Sequence, residues 1–329
     1  MIQEKPPVFL SIVFSFRNEA DSLTELVRRT RAAMETSAGM RLITGYEMIY
    51  VNDASSDGSL EVLLELAAGH KDIAIINMSR TFGVAPCVVA GLAHAKGGAV
   101  VYMDADLQDP PELIVNMLQE YLKDDQVQVV HTLRLSRRGE PWLKLFVTRI
   151  GYAILNRYSN VPITPESGDF KLLSRTVVDH VLQFKETKPF IRGIVAWVGF
   201  KQAFVRYHRE ARFAGKSKFF VLGEKVISNF LNSALVNFSS VPLQIASYCG
   251  ICAIFLDVLF AIHALSQKVS GVAVPGWTAL MLVIIFIGGV QLFCIGMIGL
   301  YLNSVHEQTK QRPNYIISST YGLEERGKV

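Results

Sequence analysis

Residues 99 to 112 read Ala-Val-Val-Tyr-Met-Asp-Ala-Asp-Leu-Gln-Asp-Pro-Pro-Glu, an apolar run that leads directly into carboxylates. Asp104 and Asp106 are two residues apart, and side chains at this spacing on an extended chain lie on the same face. Mg2+ and Mn2+ bind one or two carboxylates together with phosphate oxygens. The stretch therefore predicts a buried strand that ends at a metal site suited to a diphosphate.

A helix start is predicted immediately after this pair of carboxylates. Asp109 is placed to act as N-cap, Pro110 as the first helical residue, and Glu112 as the second partner of a capping box. An exposed acidic turn is the alternative explanation, and it would be the better one for an isolated Asp-x-Asp. The strand before the pair and the helix signal after it favour the metal site.

Strand-like and helix-like segments alternate along the first part of the chain. This alternation predicts an α/β fold with a mostly parallel sheet and helices on both faces. The predicted strands are 9–16, 46–52, 73–78, 99–103 and 127–135. In such sheets ligands bind beyond the carboxyl ends of the strands. The polar clusters at these ends are 17–19, 53–57 and 104–109. Neither G-x-G-x-x-G nor a Walker-type loop is present, which argues against a nicotinamide, flavin or P-loop nucleotide site.

The C-terminal third has the composition of a membrane segment. Hydrophobic residues make up 50% of the chain, and its mean hydropathy is +0.29. Residues 241–265 contain one acidic residue, Asp257, and no Lys or Arg, while 276–302 carry no charge. Both stretches exceed the roughly 20 residues that cross a bilayer core. A buried helical hairpin is the alternative, but two such stretches in tandem favour two transmembrane helices. Small residues that would allow close helix packing or a homo-oligomer are Gly288, Gly289, Gly296 and Gly299.

Basic residues flank the predicted spans, whereas the loop between them has only Lys268. By the positive-inside rule, both ends of the chain are expected in the cytoplasm and the loop outside. The net charge of only +4 argues against general nucleic-acid binding. The basic residues instead cluster beside the predicted membrane segment, where they would meet anionic head groups or a phosphorylated lipid. Residues 211–240 are expected to form a basic, amphipathic juxtamembrane segment.

Five motifs together resemble those of family 2 glycosyltransferases, which have the GT-A fold. They are Ser-Phe-Arg-Asn-Glu (15–19), Asn-Asp-Ala-Ser-Ser-Asp-Gly (52–58), Asp-Ala-Asp-Leu-Gln-Asp-Pro-Pro-Glu (104–112), Ser-Gly-Asp-Phe-Lys-Leu-Leu-Ser-Arg (167–175) and Arg-Phe-Ala-Gly-Lys-Ser-Lys-Phe (212–219). With two C-terminal spans, the chain is similar to the polyprenyl-phosphate glycosyltransferases, which include bactoprenol (undecaprenyl-phosphate) glucosyltransferases and dolichol-phosphate mannose synthase. Asn52 and Ala54 depart from the family's usual Asp and Gly.

The resemblance implies inverting transfer of a sugar from a nucleotide sugar to a polyprenyl phosphate at the cytoplasmic face of a bacterial inner membrane. The nucleotide sugar would be bound by Ser15, Arg17, Glu19, Asp53 and Asp104. Mg2+ or Mn2+ would be held by Asp104, Asp106 and Gln108, and Asp169 would be the catalytic carboxylate. The acceptor phosphate would be bound by Arg134, Arg206, Arg209, Arg212, Lys216 and Lys218. Attraction to anionic lipid is the alternative role of this basic run.

The implied domains are a cytoplasmic GT-A domain (1–210), the juxtamembrane segment (211–240), two transmembrane helices (241–265 and 276–302) and a cytoplasmic tail (303–329). UDP-glucose is the favoured donor, because residues 168–175 look most like the bactoprenol glucosyltransferases. UDP-N-acetylhexosamine, galactose, UDP-aminoarabinose and GDP-mannose donors stay open. A non-catalytic membrane scaffold that binds a nucleotide sugar is the alternative from a different functional class.

Overall fold

The computed structural model describes residues 4–134, 167–187, 189–208, 241–270 and 276–323. These residues divide into two compact units. The sheet unit holds the described residues up to 208 together with residues 312–323, and the helical unit holds those between 241 and 311. The predicted juxtamembrane segment, 211–240, lies outside the described residues.

The sheet unit alternates strands and helices, which confirms the predicted α/β class. Its strands are β1 (Val8–Phe16), β2 (Ile43–Asn52), β3 (Ile73–Met78), β4 (Ala99–Asp104), β5 (Val127–Arg134), β6 (Ser167–Ser174), β7 (Lys201–Tyr207) and β8 (Ile317–Tyr321). Its helices are α1 (Ala20–Gly39), α2 (Ser59–Ala67), α3 (Val84–His94), α4 (Leu113–Leu122), α5 (Arg175–Gln183) and α6 (Ile191–Trp197). The helical unit contains α7 (Val241–Val269) and α8 (Trp277–Thr309). The five strands predicted from the sequence are all present, with small shifts at their ends.

The strands form one eight-stranded sheet in the order β7-β5-β6-β4-β1-β2-β3-β8. Pairing is parallel between β1 and β2, β1 and β4, β2 and β3, and β5 and β7. By contrast, β6 is antiparallel to both of its neighbours, and β8 is antiparallel to β3. Six strands therefore run in one direction and end at one edge of the sheet, the carboxyl edge, where β6 begins.

Helices cover both faces of this sheet. On one face, Ile12 and Phe14 of β1 pack in a fully buried cluster with Leu23 of α1 and Leu118 of α4. On the other face, Gly91 of α3 lies so close to Val13 that a Cβ would not fit between them. Burial of this apolar surface is the main force that holds the strands in place. The rigid layers in turn fix the positions of the loops at the carboxyl edge.

The predicted capping box at residues 109–112 is wrong. Helix α4 begins at Leu113, and no side chain caps its first turn. The backbone amide of Leu113 instead donates to the carbonyl oxygen of Pro110 at 3.2 Å, which makes a tight turn ahead of the helix. Asp109 is buried and accepts a hydrogen bond from Arg134. This bond to a distant guanidinium takes the carboxylate away from the helix start.

A strand that the sequence analysis did not identify lies in the predicted tail. Residues 317–321 form β8, which pairs with β3 over Ile75↔Tyr321, Ile76↔Thr320, Asn77↔Ser319 and Met78↔Ile317. The amide of Ser79 also donates to the carbonyl oxygen of Ile316 at 2.9 Å. The chain thus leaves the sheet after β7, forms the helical unit, and returns to the sheet at its far edge.

The helical unit consists of two long helices, which coincide with the predicted spans to within one residue at their start and extend beyond them at their C-terminal ends. Large apolar side chains on both are exposed, among them Phe255 of α7 and Leu292 of α8. The thiol of Cys294 lies 3.3 Å from the carbonyl oxygen of Ala246, so the helices pack against each other. Among the described residues, one segment, Phe286–Thr309, is long and apolar enough to cross a membrane. Two transmembrane crossings therefore stay a prediction.

Candidate active site

Three side chains from neighbouring strands form a row at the carboxyl edge. Ser15 of β1 is in register with Asp104 of β4, and its hydroxyl donates to the Asp104 carboxylate at 3.0 Å. The antiparallel register pairs Tyr102 with Lys171. Asp104 and Asp169 each lie two residues beyond this pair toward the edge, and the two carboxylates are close enough that the charge of Asp169 raises the pKa of Asp104. The structure thus brings together Ser15, Asp104 and Asp169, which the sequence analysis assigned to donor, metal and catalysis.

Asp104 lies in an environment that disfavours its own charge. Burial, together with repulsion from the carboxylates of Asp169 and Asp106, raises its pKa to about 7, and the hydrogen bond from Ser15 opposes this effect. A divalent cation would relieve such an accumulation of negative charge. The backbone amide of Gln108 donates to Asp106 at 3.1 Å and holds that carboxylate in the turn after β4.

The donor set fits Mg2+ or Mn2+ bound together with a substrate. Within the described residues, no three His, Cys, Asp or Glu side chains are close enough together to hold a metal alone. Mg2+ usually takes one or two carboxylates from the protein and fills its other positions with water and phosphate oxygens. Asp104 and Asp106 meet that requirement, and Gln108 adds an amide oxygen in the same turn.

Asp169 forms an ion pair that the sequence analysis missed. Its two carboxylate oxygens accept hydrogen bonds from Nε (2.6 Å) and Nη2 of Arg192, on α6. Burial would raise the pKa of Asp169, but Arg192, helped by the charges of Lys171 and Arg134, holds it below its usual range. Asp169 is therefore ionised and fixed in orientation. The only signal in the sequence was a charge inside the apolar run Phe-Ile-Arg-Gly-Ile-Val (190–195).

A buried polar cluster lies behind Asp169 on the same face of β6. The ammonium group of Lys171, only 1% exposed, contacts Ser167 and lies 2.8 Å from Nδ1 of His131. On the other side of the ring, Nε2 of His131 is 2.9 Å from the amide oxygen of Gln202. Burial lowers the pKa of Lys171 to about 7, although Asp169 opposes this. Burial and the neighbouring ammonium lower the pKa of His131 to about 3, so its imidazole is neutral.

Arg134, predicted to bind the acceptor phosphate, is held by two further side chains at the same edge. Its Nη2 donates to Asp109 at 3.1 Å, and its Nε donates to the hydroxyl of Tyr207 at 3.1 Å. Burial and the carboxylate of Asp109 raise the pKa of Tyr207 to about 12, so this hydroxyl stays protonated. It donates to Asp109 and closes the ring of three.

The loops after β1, β2 and β3 interlock on the side of the sheet that carries the predicted nucleotide-binding residues. The amide of Asn18 donates to Ser55 at 2.9 Å, and the amide of Ser56 donates to the Asn18 side chain at 2.8 Å. Asp53 accepts from the amides of Phe82 (2.6 Å) and Gly83 (3.0 Å), so its carboxylate braces the loop before α3. This bracing role was not anticipated from the sequence.

The remaining predicted site residues are spread over several parts of the chain. Arg17 is exposed and Glu19 is half-buried, and both lie in the loop after β1. On β7, Arg206 is exposed and alternates with buried Val205 and Tyr207, so it lies on the face opposite Tyr207. Arg209, Arg212, Lys216 and Lys218 lie outside the described residues. Among the described residues assigned to the acceptor, Arg134 is close enough to Asp169 for its charge to lower the pKa of that carboxyl group.

The chain is similar in sequence to known glycosyltransferases. Residues 11–182 match the family described as Glycosyl transferase family 2. An uncharacterized glycosyltransferase of Synechocystis is 38% identical over 316 residues, which cover 96% of each chain. The bactoprenol glucosyl transferase of Shigella phage SfII is 32% identical over 313 residues, 95% of this chain and 98% of the phage protein. Among solved structures, the mannosyltransferase PcManGT of Pyrobaculum calidifontis, in complex with GDP-Man and Mn2+, has a TM-score of 0.45 and 14% identity, covering 94% of this chain and 89% of that one.

Proposed function

This chain belongs to glycosyl transferase family 2, and we propose that it transfers a sugar, with glucose from UDP-glucose favoured, to a polyprenyl phosphate. The observation that carries the proposal is the proximity of the Asp104 and Asp169 carboxylates at the carboxyl edge, with the charge of Arg134 close enough to Asp169 to lower its pKa. The glucose and lipid assignments are supported by a bactoprenol glucosyl transferase that aligns with almost the whole chain, including the helical unit.

In the proposed reaction an oxygen of the acceptor phosphate attacks the anomeric carbon, and the bond from that carbon to the nucleoside diphosphate breaks with inversion. Asp104 and Asp106 would hold Mg2+ or Mn2+. When bound, this ion supplies Lewis-acid stabilisation of the charge on the diphosphate. Ser15 orients the Asp104 carboxylate through its hydrogen bond.

Asp169 acts as a fixed negative charge in this proposal and not as a proton acceptor. A phosphate monoester has a second pKa near 6, so the acceptor is mostly a dianion at neutral pH and needs little help from a base. The bidentate pair with Arg192 lowers the proton affinity of Asp169 further. Its charge is placed to orient the acceptor and to stabilise positive charge that develops on the sugar.

We further propose that α7 and α8 cross a bacterial cytoplasmic membrane, with the sheet unit and both termini in the cytoplasm. Three features support this: the exposed apolar side chains on both helices, the excess of basic residues outside the short loop, and the return of the chain to the sheet as β8. Because the chain returns to the sheet as β8, the N-terminal end of α7 and the C-terminal end of α8 both lead to the sheet unit. Catalysis on a lipid that stays in the bilayer would need such an anchor.

The test is release of nucleoside diphosphate by the purified protein with undecaprenyl phosphate, Mg2+ or Mn2+, and a panel of UDP- and GDP-sugars. We expect release with one donor, dependent on both lipid and metal. The double variant Asp104→Asn, Asp106→Asn should abolish it, whereas Glu61→Gln, Glu65→Gln on the exposed side of α2 should not. Binding of a nucleotide sugar without release for any donor would favour the scaffold alternative instead.

A further inference from the structure

The ring formed by Asp109, Arg134 and Tyr207 joins three separate elements. Asp109 follows the turn that carries Asp104 and Asp106, while Arg134 and Tyr207 are the last residues of β5 and β7 and are in register. Asp109 and Tyr207 are almost fully buried, and the Arg134 side chain is 20% exposed. The carboxylate, the hydroxyl and one edge of the guanidinium are all bonded within the ring.

Stability alone does not account for such a ring. A buried ion pair typically contributes little net stability, since the cost of removing two charges from water offsets their attraction. An apolar trio of similar volume would hold these three elements together at least as well. A ring of this kind does, however, fix the plane of a guanidinium, whose N–H groups point in rigidly defined directions.

The strand that carries Asp169 packs directly against this fixed guanidinium. A Cβ on Gly168 would lie 2.9 Å from Nη2 and 3.2 Å from Cζ of Arg134. A side chain at position 168 would therefore push the guanidinium aside, and the glycine lets β6 pass this close. The next residue is Asp169, and the charge of Arg134 contributes to its lowered pKa. Arg134 is thus held between the carboxylate of Asp109 and the start of β6.

We propose that Asp109 and Tyr207 are positioning residues that hold the Arg134 guanidinium beside Asp169 in the orientation that receives the acceptor phosphate. The proposal rests on the proposed function in taking Arg134 as a phosphate ligand. Its chemistry is a planar, pre-oriented cation that meets a phosphate dianion, an interaction in which geometry matters as much as charge. Because Asp109 belongs to the segment of the metal carboxylates, the ring also ties the acceptor side of the site to the donor side.

The test compares Tyr207→Phe with Tyr46→Phe in the full-length protein. Tyr207→Phe removes the hydroxyl from the ring but keeps both charges, whereas Tyr46 bonds the carboxylate of Asp72 away from the ring and serves as the matched control. The first measurement is equilibrium binding of undecaprenyl phosphate in detergent without a donor, and the second is the KM for each substrate during turnover.

We expect Tyr207→Phe to weaken lipid binding and to raise the acceptor KM by about tenfold, the effect of one lost hydrogen bond to a charged group. The donor KM should stay within about twofold, and Tyr46→Phe should change neither. Gly168→Ala substitutes none of the three ring residues but displaces the Arg134 guanidinium, so it should cause the same selective loss of acceptor binding. A merely structural role would raise both KM values together or lower the unfolding temperature without affecting acceptor binding.

Unchanged lipid binding by Tyr207→Phe and Gly168→Ala would overturn the proposal, and so would failure of the unaltered protein to bind the lipid phosphate. If the unaltered protein binds the lipid but releases no nucleoside diphosphate with any donor, the proposed function fails. In that case selective loss of binding in the two variants would still support the positioning role.

Discussion

Replacement of Gly322 by alanine is expected to detach β8 from the sheet. Gly322 follows β8 directly and has φ +70, a left-handed conformation in which an L-residue costs about 1–2 kcal/mol. A Cβ at this position would also lie 2.5 Å from the carbonyl oxygen of Ile73. That oxygen belongs to the backbone of β3 and cannot rotate away. The two effects together should cost more than about 2 kcal/mol.

The net free energy that stabilises the pairing of β8 with β3 is small compared with this cost. It rests on four residue pairs and the additional bond between Ser79 and Ile316. Each hydrogen bond contributes a net of about 1 kcal/mol, whereas ordering each residue costs about 1–2 kcal/mol. Local detachment should therefore precede global unfolding. A loss of 2 kcal/mol raises the detached fraction about 30-fold.

Hydrogen exchange of the full-length protein measures this directly. Amides of residues 317–321 should lose about 30-fold in protection in Gly322→Ala, while those of Ile12 and Val13 in the central strand should not change. Gly39→Ala, at the end of α1 with open space around it, is the matched control and should leave β8 as protected as before. Protection of β8 within about threefold of the unaltered protein would refute the reasoning.

Three further outcomes follow from the site. Asp169→Asn should lower turnover by at least about 100-fold with a flat profile from pH 7 to 9, measured as nucleoside diphosphate release; activity recovering with pH would identify Asp169 as a base. Asp53→Ala should raise the donor KM about tenfold and leave the acceptor KM unchanged, because it frees the amides of Phe82 and Gly83; equal effects on both substrates would contradict the bracing role. The pKa of Lys171 is about 7 in the folded protein, against 10.5 for an unperturbed lysine. Between these pH values the unfolded chain binds one more proton than the folded protein. The free energy of unfolding should therefore rise with pH from about 7 to 10. Thermal unfolding in detergent should show that rise, and Lys171→Met should reduce it.

The local sequence pattern was sufficient to predict the part of the fold in which strands and helices alternate along the chain. The alternation of apolar runs with helical periods predicted five strands, and the rule that parallel strands share a carboxyl edge predicted that the clusters 17–19, 53–57 and 104–109 lie at that edge. The proximity of Asp104 and Asp169 could not be predicted from local pattern. It depended on β6 being antiparallel, and only the resemblance, not the pattern, singled out Asp169.

What sequence reasoning missed depends on contacts between distant residues. Asp109 satisfied every local criterion for a helix cap, yet its partners are Arg134 and Tyr207, which are 25 and 98 residues away. Asp53 binds a loop about 30 residues further on. Similarly, β8 is a short segment, Ile-Ser-Ser-Thr-Tyr, with only two β-branched residues, and its pairing depends on an open edge at β3. Local secondary-structure propensity cannot predict such partners, because they come together only in the folded structure.

In the proposed reaction one sheet edge serves two substrates, and the reversed direction of β6 makes this possible. β1, β2, β3 and β4 run in parallel, so their carboxyl ends offer loops, and these loops interlock around Asn18 and Asp53. A further parallel strand next to β4 would offer one more loop. Because β6 instead begins at this edge, Gly168 and Asp169 belong to a strand, and Arg192 fixes the orientation of the Asp169 carboxylate. This carboxylate lies close to Asp104 on one side and next to the strand of Arg134 on the other. In the proposed reaction, the boundary between β4 and β6 is therefore where the donor-binding and acceptor-binding residues come together.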